Sequence, residues 1–194
     1  MRRAITEPHP TDTLIAARLQ ALRQQRALSL GQLAERSGVS KAMISRIERA
    51  ESSPTATLLG RLAAALGVTL AELLSEREGP KAAPERVHRL ASQPLWRDPE
   101  LGVRRRQVAP RDAAGVELVE IELPRGAEVR YPPWGSQPYR QRLWLLEGRL
   151  RVAYGDEVFE LDAGDCLDFG VDRALAFRAL GRGGCRYLLV LVAG

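Results

Sequence analysis

Between residues 29 and 50 the chain reads SLGQLAERSGVSKAMISRIERA. The side chains in that stretch equipped for chemistry are Ser29, Ser40, Lys41, Ala42, Ser45, Arg46 and Arg49. They are hydroxyl, small and cationic groups, the types that contact phosphate oxygens and the edges of bases in a groove. Two short helices must position them. Leu30, Leu33 and Ala34 recur at helical spacing in the first, and Met43, Ile44 and Ile47 in the second, so each helix reserves one face for a core. Ser29 and Ser40 stand where N-caps belong, and Gly38 supplies the permissive backbone of the bend. The second helix is left with a basic, polar free face, which is the shape of a DNA reader.

Charge points the same way. Residues 1–50 hold nine Lys/Arg against four Asp/Glu, a net of +5, whereas residues 51–194 hold twenty of each. All the excess positive charge therefore lies in the segment that contains the helix pair, as electrostatic capture of phosphate requires. A solvated basic face is the plainer alternative for any charge run; its coincidence with the helix pair favours the functional reading.

Residues 14 to 75 resemble the repressor-type helix-turn-helix domain of the Xre/Cro family. Beyond the pair, SPTATLLGRLAAALGVTLAELL from Ser53 to Leu74 is similar to the closing part of that domain: a Pro-containing loop, a helix, a Gly-Val turn capped by Thr69 and a short last helix. Two departures stand out. The family usually carries Gly where this chain has Ala50, and a helix former where it has Gly31, a change costing about 1 kcal/mol relative to Ala. The resemblance implies an all-α unit of five helices. It also implies that Lys41, Ala42, Ser45 and Arg46 face bases, with Arg46 suited to guanine and Ala42 to a thymine methyl. Phosphates would be held by the Ser29 end of the first helix and by Ser52, Ser53 and Thr55 in the loop that follows the second.

A length of 194 residues leaves room for a second domain. No run of apolar residues is long enough to span a membrane, and the start MRRAITEPHPTDTL lacks the apolar core of a secretion signal, so a cytoplasmic protein is expected. Cys166 and Cys185 are too few for a disulfide framework or a zinc finger and read as reduced thiols in a strand-rich core. SEREGPKAAPER, residues 75–86, mixes charge with Gly and Pro as linkers do.

From Val87 the grammar is that of strands: GVRRRQV (102–108), VELVEIEL (116–123), RLWLLEG (142–148), LRVAY (150–154), EVFEL (157–161) and CRYLLVLV (185–192). Short strands at this spacing predict a sandwich or barrel. VELVEIEL alternates imperfectly, so one of its faces should be buried. The run Arg104 to Arg106 reads as a solvated strand face rather than a second nucleic-acid patch.

WLLEGRLRV (144–152), DAGDCLDF (162–169) and Gly126 after LPR resemble the signature turns of the cupin family, over approximately residues 86 to 194. A metal-dependent cupin would supply three His and a Glu converging inside the barrel. Counted from Gly148, Gly164 and Asp165, those places hold Gln141, Gly135 and Gln137 (or Trp134 and Ser136), and Leu175. His9 and His88 lie far from them in sequence, so no metal and no other cofactor is expected. Trp134, Tyr139 and Phe177 offer flat apolar contact instead, and Arg130, Gln137 and Gln141 directed polar groups, a mixture suited to an organic ligand. Core packing is the competing explanation for the aromatics. No Ser-His-Asp, Cys-His or paired-carboxylate arrangement can be assembled.

The sequence thus predicts a two-domain α plus β chain. Residues 11–75 form a helix-turn-helix domain, 76–86 a linker and 87–194 a cupin-like barrel that senses a small molecule and helps to dimerise the protein on operator DNA. Two alternatives stay open: a cupin enzyme, such as an isomerase or oxygenase, carrying a DNA-binding domain, or a DNA reader whose barrel only dimerises.

Overall fold

The computed structural model describes residues 10–74, 86–134 and 139–193. The linker expected at 76–86 lies, apart from Arg86, outside the described residues.

Helices come first: α1 (Pro10–Gln25), α2 (Leu30–Ser37), α3 (Lys41–Glu48), α4 (Ala56–Leu66) and α5 (Leu70–Leu73). The expected five-helix unit is four helices of eight residues or more and one closing turn, since α5 spans only four residues. Local signals set the boundaries. Ser29 caps α2 in a reciprocal pair with Gln32, and Gly38 ends it in the left-handed region at φ 65°. Ser40 caps α3 and Thr55 caps α4. Ile15, Leu19, Leu33, Ile44, Ile47 and Leu59 are essentially inaccessible, so the apolar stripes of the first four helices meet in one core. Ala50, where the resemblance expects Gly, takes φ 55°, a conformation that disfavours a side chain.

Eight antiparallel strands follow: β1 (Leu95–Arg97), β2 (Arg104–Ala109), β3 (Val116–Leu123), β4 (Glu128–Tyr131), β5 (Tyr139–Tyr154), β6 (Glu157–Asp162), β7 (Cys166–Phe169) and β8 (Leu175–Ala193). The ladder runs β1-β2-β3-β8-β5-β6, with β4 added on β8 and β7 on β5. The two runs expected at 142–148 and 150–154 are one long strand, β5, paired with β8 from Tyr139 to Tyr154. Both strands bend where Gly148 (φ 80°) meets Gly184 (φ 78°). A Cβ on Gly148 would lie 2.9 Å from the Cα of Cys185, so only glycine allows the two backbones to cross this closely. Beyond the bend, the 149–154 part of β5 pairs with β6 and the 175–178 part of β8 with β4; before it, the other parts pair with β7 and β3.

The expected barrel is therefore corrected. The sheet folds over on itself at the glycine crossing, and its ends, β1 and β6, do not pair among the described residues. The solvated-face expectation for Arg104 to Arg106 is corrected as well. Arg104 and Arg106 pair with Glu122 and Glu120, but Arg105, on the opposite face of β2, is buried beside Glu117. Cys185 is buried as expected, whereas Cys166 is exposed on β7.

The helical part rests on the sheet through α4 and β4. The Tyr131 ring lies directly over Gly60, where a Cβ would overlap it. Asp98, just after β1, accepts the Ala56 N–H at 2.6 Å, and Arg111 pairs with Glu72 at 3.2 Å.

Candidate functional site

On the helical side, α3 is fixed from behind. Glu48, at its last turn, takes Arg23 of α1 in a two-pronged pair at 2.7 and 2.8 Å, both side chains largely shielded from solvent. The front face then stands clear: Lys41, Ala42 and Arg46 are exposed, and no hydrogen bond or ion pair holds Arg46 among the described residues. Arg49 is exposed too, but it binds Glu51 at 2.7 and 2.8 Å and donates to the Ser45 hydroxyl. Ser45 and Arg49 must exchange those contacts for any others. Ser29, Ser40 and Thr55 spend their side-chain oxygens on helix caps. Of the loop serines, Ser53 donates to Asp12 and Ser52 to the Met43 sulfur at 3.8 Å.

The sheet encloses a cavity of about 60 Å³. Of the side chains expected to hold an organic molecule, Trp134, Tyr139, Gln141 and Phe177 line it together. Arg130 does not: its side chain is 74% exposed and pairs with Glu128. It sits on β4, where alternation turns Val129 inward and Arg130 outward. Gln137 lies outside the described residues, as do Gly135 and Ser136. Of the other places counted for metal ligands, Trp134, Gln141 and Leu175 line the cavity. No cluster of His, Cys, Asp or Glu suited to a metal occurs among the described residues.

Sequence reasoning missed other parts of the wall: Arg105 and Trp96 from the first strands, Tyr131 and Tyr187, and Ala56 and Leu70 from the helical part. Period-two alternation, which turns the middle residue of an Arg run against its neighbours, was the signal available for Arg105. Nothing local marks Ala56 and Leu70, which join the wall by tertiary packing.

The cavity is lined largely by aromatic rings. Tyr131 lies 5.5 Å from Trp134 and 6.2 Å from Phe177, centroid to centroid, and Phe177 stacks on Tyr187 at 6.0 Å. Burial pushes the Tyr131 phenol up to about 12 and raises Tyr139 and Tyr187 as well. Arg105, 6% exposed, donates to Glu117 and to Gln107, each at 3.3 Å, and Gln107 donates to Glu117 at 2.9 Å. Trp134 is 6% exposed, and its Nε1–H has no partner, alone in this among buried side-chain polar atoms of the described residues. The arrangement offers stacking surfaces and hydrogen-bond donors.

Comparison with known proteins follows this geometry. The helix-turn-helix family profile matches residues 19–73. The HTH-type transcriptional regulator SutR of Escherichia coli (strain K12) is 45% identical over 167 residues, covering 84% of this chain and 86% of that protein. The HTH-type transcriptional regulator SinR of Bacillus licheniformis is 35% identical over 66 residues, 34% of this chain. Among solved structures, an HTH_3 family transcriptional regulator from Vibrio cholerae superposes with a TM-score of 0.73 at 26% identity, covering 95% of this chain and 97% of that one. No helix of the described residues is long and apolar enough to cross a membrane.

Proposed function

The chain belongs to the Xre-type helix-turn-helix transcriptional regulators, and we propose that its β domain lets a small molecule set how the DNA reader is held. One observation carries this reading. The cavity in the sheet is walled partly by the helical domain: Ala56 opens α4 and Leu70 opens α5, and both touch the same space as Trp134, Tyr139 and Gln141. A ligand there can prefer one placement of α4 over another, and only such a preference can shift the equilibrium. The loop bearing Ser52, Ser53 and Thr55 ends at Ala56, so movement of α4 is movement of the proposed phosphate-binding loop. We take 11–75 as the reading domain and 87–194 as the sensing domain, with no metal or catalytic step.

In this reading α3 enters the major groove with Lys41, Ala42, Ser45 and Arg46 toward bases. The ends of α2 and α3 at Ser29 and Ser40, Arg49, and the loop through Ser52, Ser53 and Thr55 meet phosphates. One such helix reads too few base pairs for selectivity, so a homodimer on a near-palindromic operator is proposed. The face for the second copy is the outer side of β5 and β8. Trp144 is 50% exposed there and pairs across the ladder with Leu188; Val192 is 39% exposed, and Val190 lies between them. The Arg142–Asp168 pair and Glu120 surround this patch with both signs of charge, which suits pairing of the face with itself.

The test is a thermal-shift screen of the full chain against a metabolite library, followed by operator titration with any compound that stabilises it. Saturable stabilisation with a change in operator affinity is expected. Stabilisation by no compound, in a protein that still binds DNA as a dimer, would favour the second reading, in which the β domain only dimerises the reader.

A further inference from the structure

The donor set of the cavity narrows its ligand. Building on the sensing role proposed above, we infer that the cavity takes a compact carboxylate, held between the Arg105 guanidinium and the Gln141 amide.

Gln141 supplies the first observation. Its side chain is 7% exposed, lines the cavity and makes no hydrogen bond among the described residues, and a native core rarely leaves a buried amide unpaired unless something else supplies the partner. Its NH2 group can donate to a carboxylate oxygen.

Arg105 supplies the second. A guanidinium has five N–H donors, and the two bonds it makes, to Gln107 and Glu117, are both 3.3 Å, at the long limit for such contacts. Three donors are left without an acceptor among the described residues. Glu117 is buried and does not itself line the cavity, so among the described residues the only charged side chain of the wall is the cation. No Asp or Glu of the described residues lines the wall, which removes the usual partner of a ligand amine.

Size is the third. A cavity of about 60 Å³ holds roughly four to six water-sized groups. That is a carboxylate with a short apolar tail, and the rings of Tyr131, Phe177 and Tyr187 are the surface the tail would meet. A phosphomonoester, with its larger head and second charge, fits poorly beside Glu117.

The experiment uses the full chain and three probes of similar size: propionate, propionamide and n-propylamine, titrated calorimetrically and by tryptophan fluorescence. Propionate should bind saturably and at least tenfold tighter than the amide, with no binding of the amine. Gln141→Leu, which removes the amide and keeps much of the side chain's bulk, should weaken propionate about fivefold to tenfold. Arg105→Met should abolish the preference for acid over amide; should that variant not fold, the Gln141→Leu result and the probe series decide alone. Equal binding of acid and amide, tighter binding of the amine, or no binding of propionate would each overturn the carboxylate assignment. A library compound of another class that binds and alters operator affinity would then preserve the sensing role. Propionate bound as described, without any effect of cavity ligands on operator affinity, would preserve the assignment and remove the sensing role.

Discussion

Asp98 and Ala56, 42 residues apart, are joined by a hydrogen bond of 2.6 Å from the first backbone N–H of α4 to a carboxylate on the sheet side. The first N–H groups of a helix have no partner within it, and a negative charge there also suits the helix dipole. The other oxygen of Asp98 takes the N–H groups of Glu100 and Leu101 at 2.8 and 2.7 Å. One buried carboxylate therefore closes a turn of the sheet and the start of a DNA-domain helix together. Asp98→Ala should cost about 1–3 kcal/mol, the penalty of leaving buried donors unpaired. It should also speed hydrogen exchange at the Ala56 amide more than at Leu33 or Ile44. Unchanged exchange at Ala56 would mean that the bond is not made in solution.

Gly60 offers a test of the same interface with an inverted sign. In an ordinary helix interior Gly→Ala stabilises by about 1 kcal/mol. In α4 the added Cβ would overlap the Tyr131 ring, which is itself wedged against Trp134 and Phe177. Gly60→Ala should therefore destabilise by about 1–3 kcal/mol through overpacking. In a Tyr131→Ala background the same substitution should become neutral or stabilising. A denaturant-based double-mutant cycle measures the difference; additive effects would show that the two residues do not touch.

The helical unit was legible in the sequence because its signals are local. Ser29, Gly38, Ser40 and Thr69 cap or end helices within three or four residues of themselves, and the apolar spacing of Leu33, Ile44 and Ile47 needs nothing beyond the helix. VELVEIEL was found to the residue, as β3. The sheet closure was not legible, because whether β1 meets β6 is decided by how β5 and β8 bend at Gly148 and Gly184, a tertiary matter. Trp134, Tyr139, Gln141 and Phe177 do gather at one cavity, yet Arg130 was chosen over Arg105. An arginine between two others reads as surface until the strand's facing is known, and the acid that shields it, Glu117, comes from the next strand.

All four tyrosines are raised above their ordinary value. Burial does this for Tyr131, Tyr139 and Tyr187, and the hydrogen bond to Asp172 does it for Tyr154. Below pH about 10 the phenols are neutral in both folded and unfolded chains, so their contribution to stability is fully present. Above it the unfolded chain loses protons that the folded chain keeps, and stability falls as pH rises through the Tyr131 value of about 12. Ultraviolet titration of the native protein should show little tyrosinate at pH about 11, where the urea-unfolded chain is mostly ionised. An ordinary titration curve in the native state would show that the aromatic cavity is open to water.

Trp144 is half exposed among the described residues, although it stands on the central strand of the sheet. If a second copy covers it, Trp144→Glu places like charges opposite each other in a desolvated interface. The variant should then be monomeric by light scattering at micromolar concentration, with weaker operator binding and an unchanged far-ultraviolet circular dichroism spectrum. A wild-type monomer, free and on DNA, would remove the homodimer.

Arg46 decides what kind of reader α3 is. Its side chain is exposed and makes no hydrogen bond or ion pair among the described residues, unlike Arg49, which Glu51 and Ser45 already hold, so Arg46 can reach a guanine edge without first breaking one. A bidentate contact to guanine is specific to one base position, whereas a phosphate contact is blind to sequence. Arg46→Ala should cost about 1–3 kcal/mol on the preferred operator, found by selection from random duplexes, and should relax preference at one position in each half-site. Arg49→Ala should cost less, because release of its contacts with Glu51 offsets part of what it gains on DNA. Titrations at fixed salt against a set of single-position operator variants separate the outcomes. A uniform loss of affinity across every variant would reassign Arg46 to the phosphate backbone and leave Lys41, Ala42 and Ser45 to carry the base contacts.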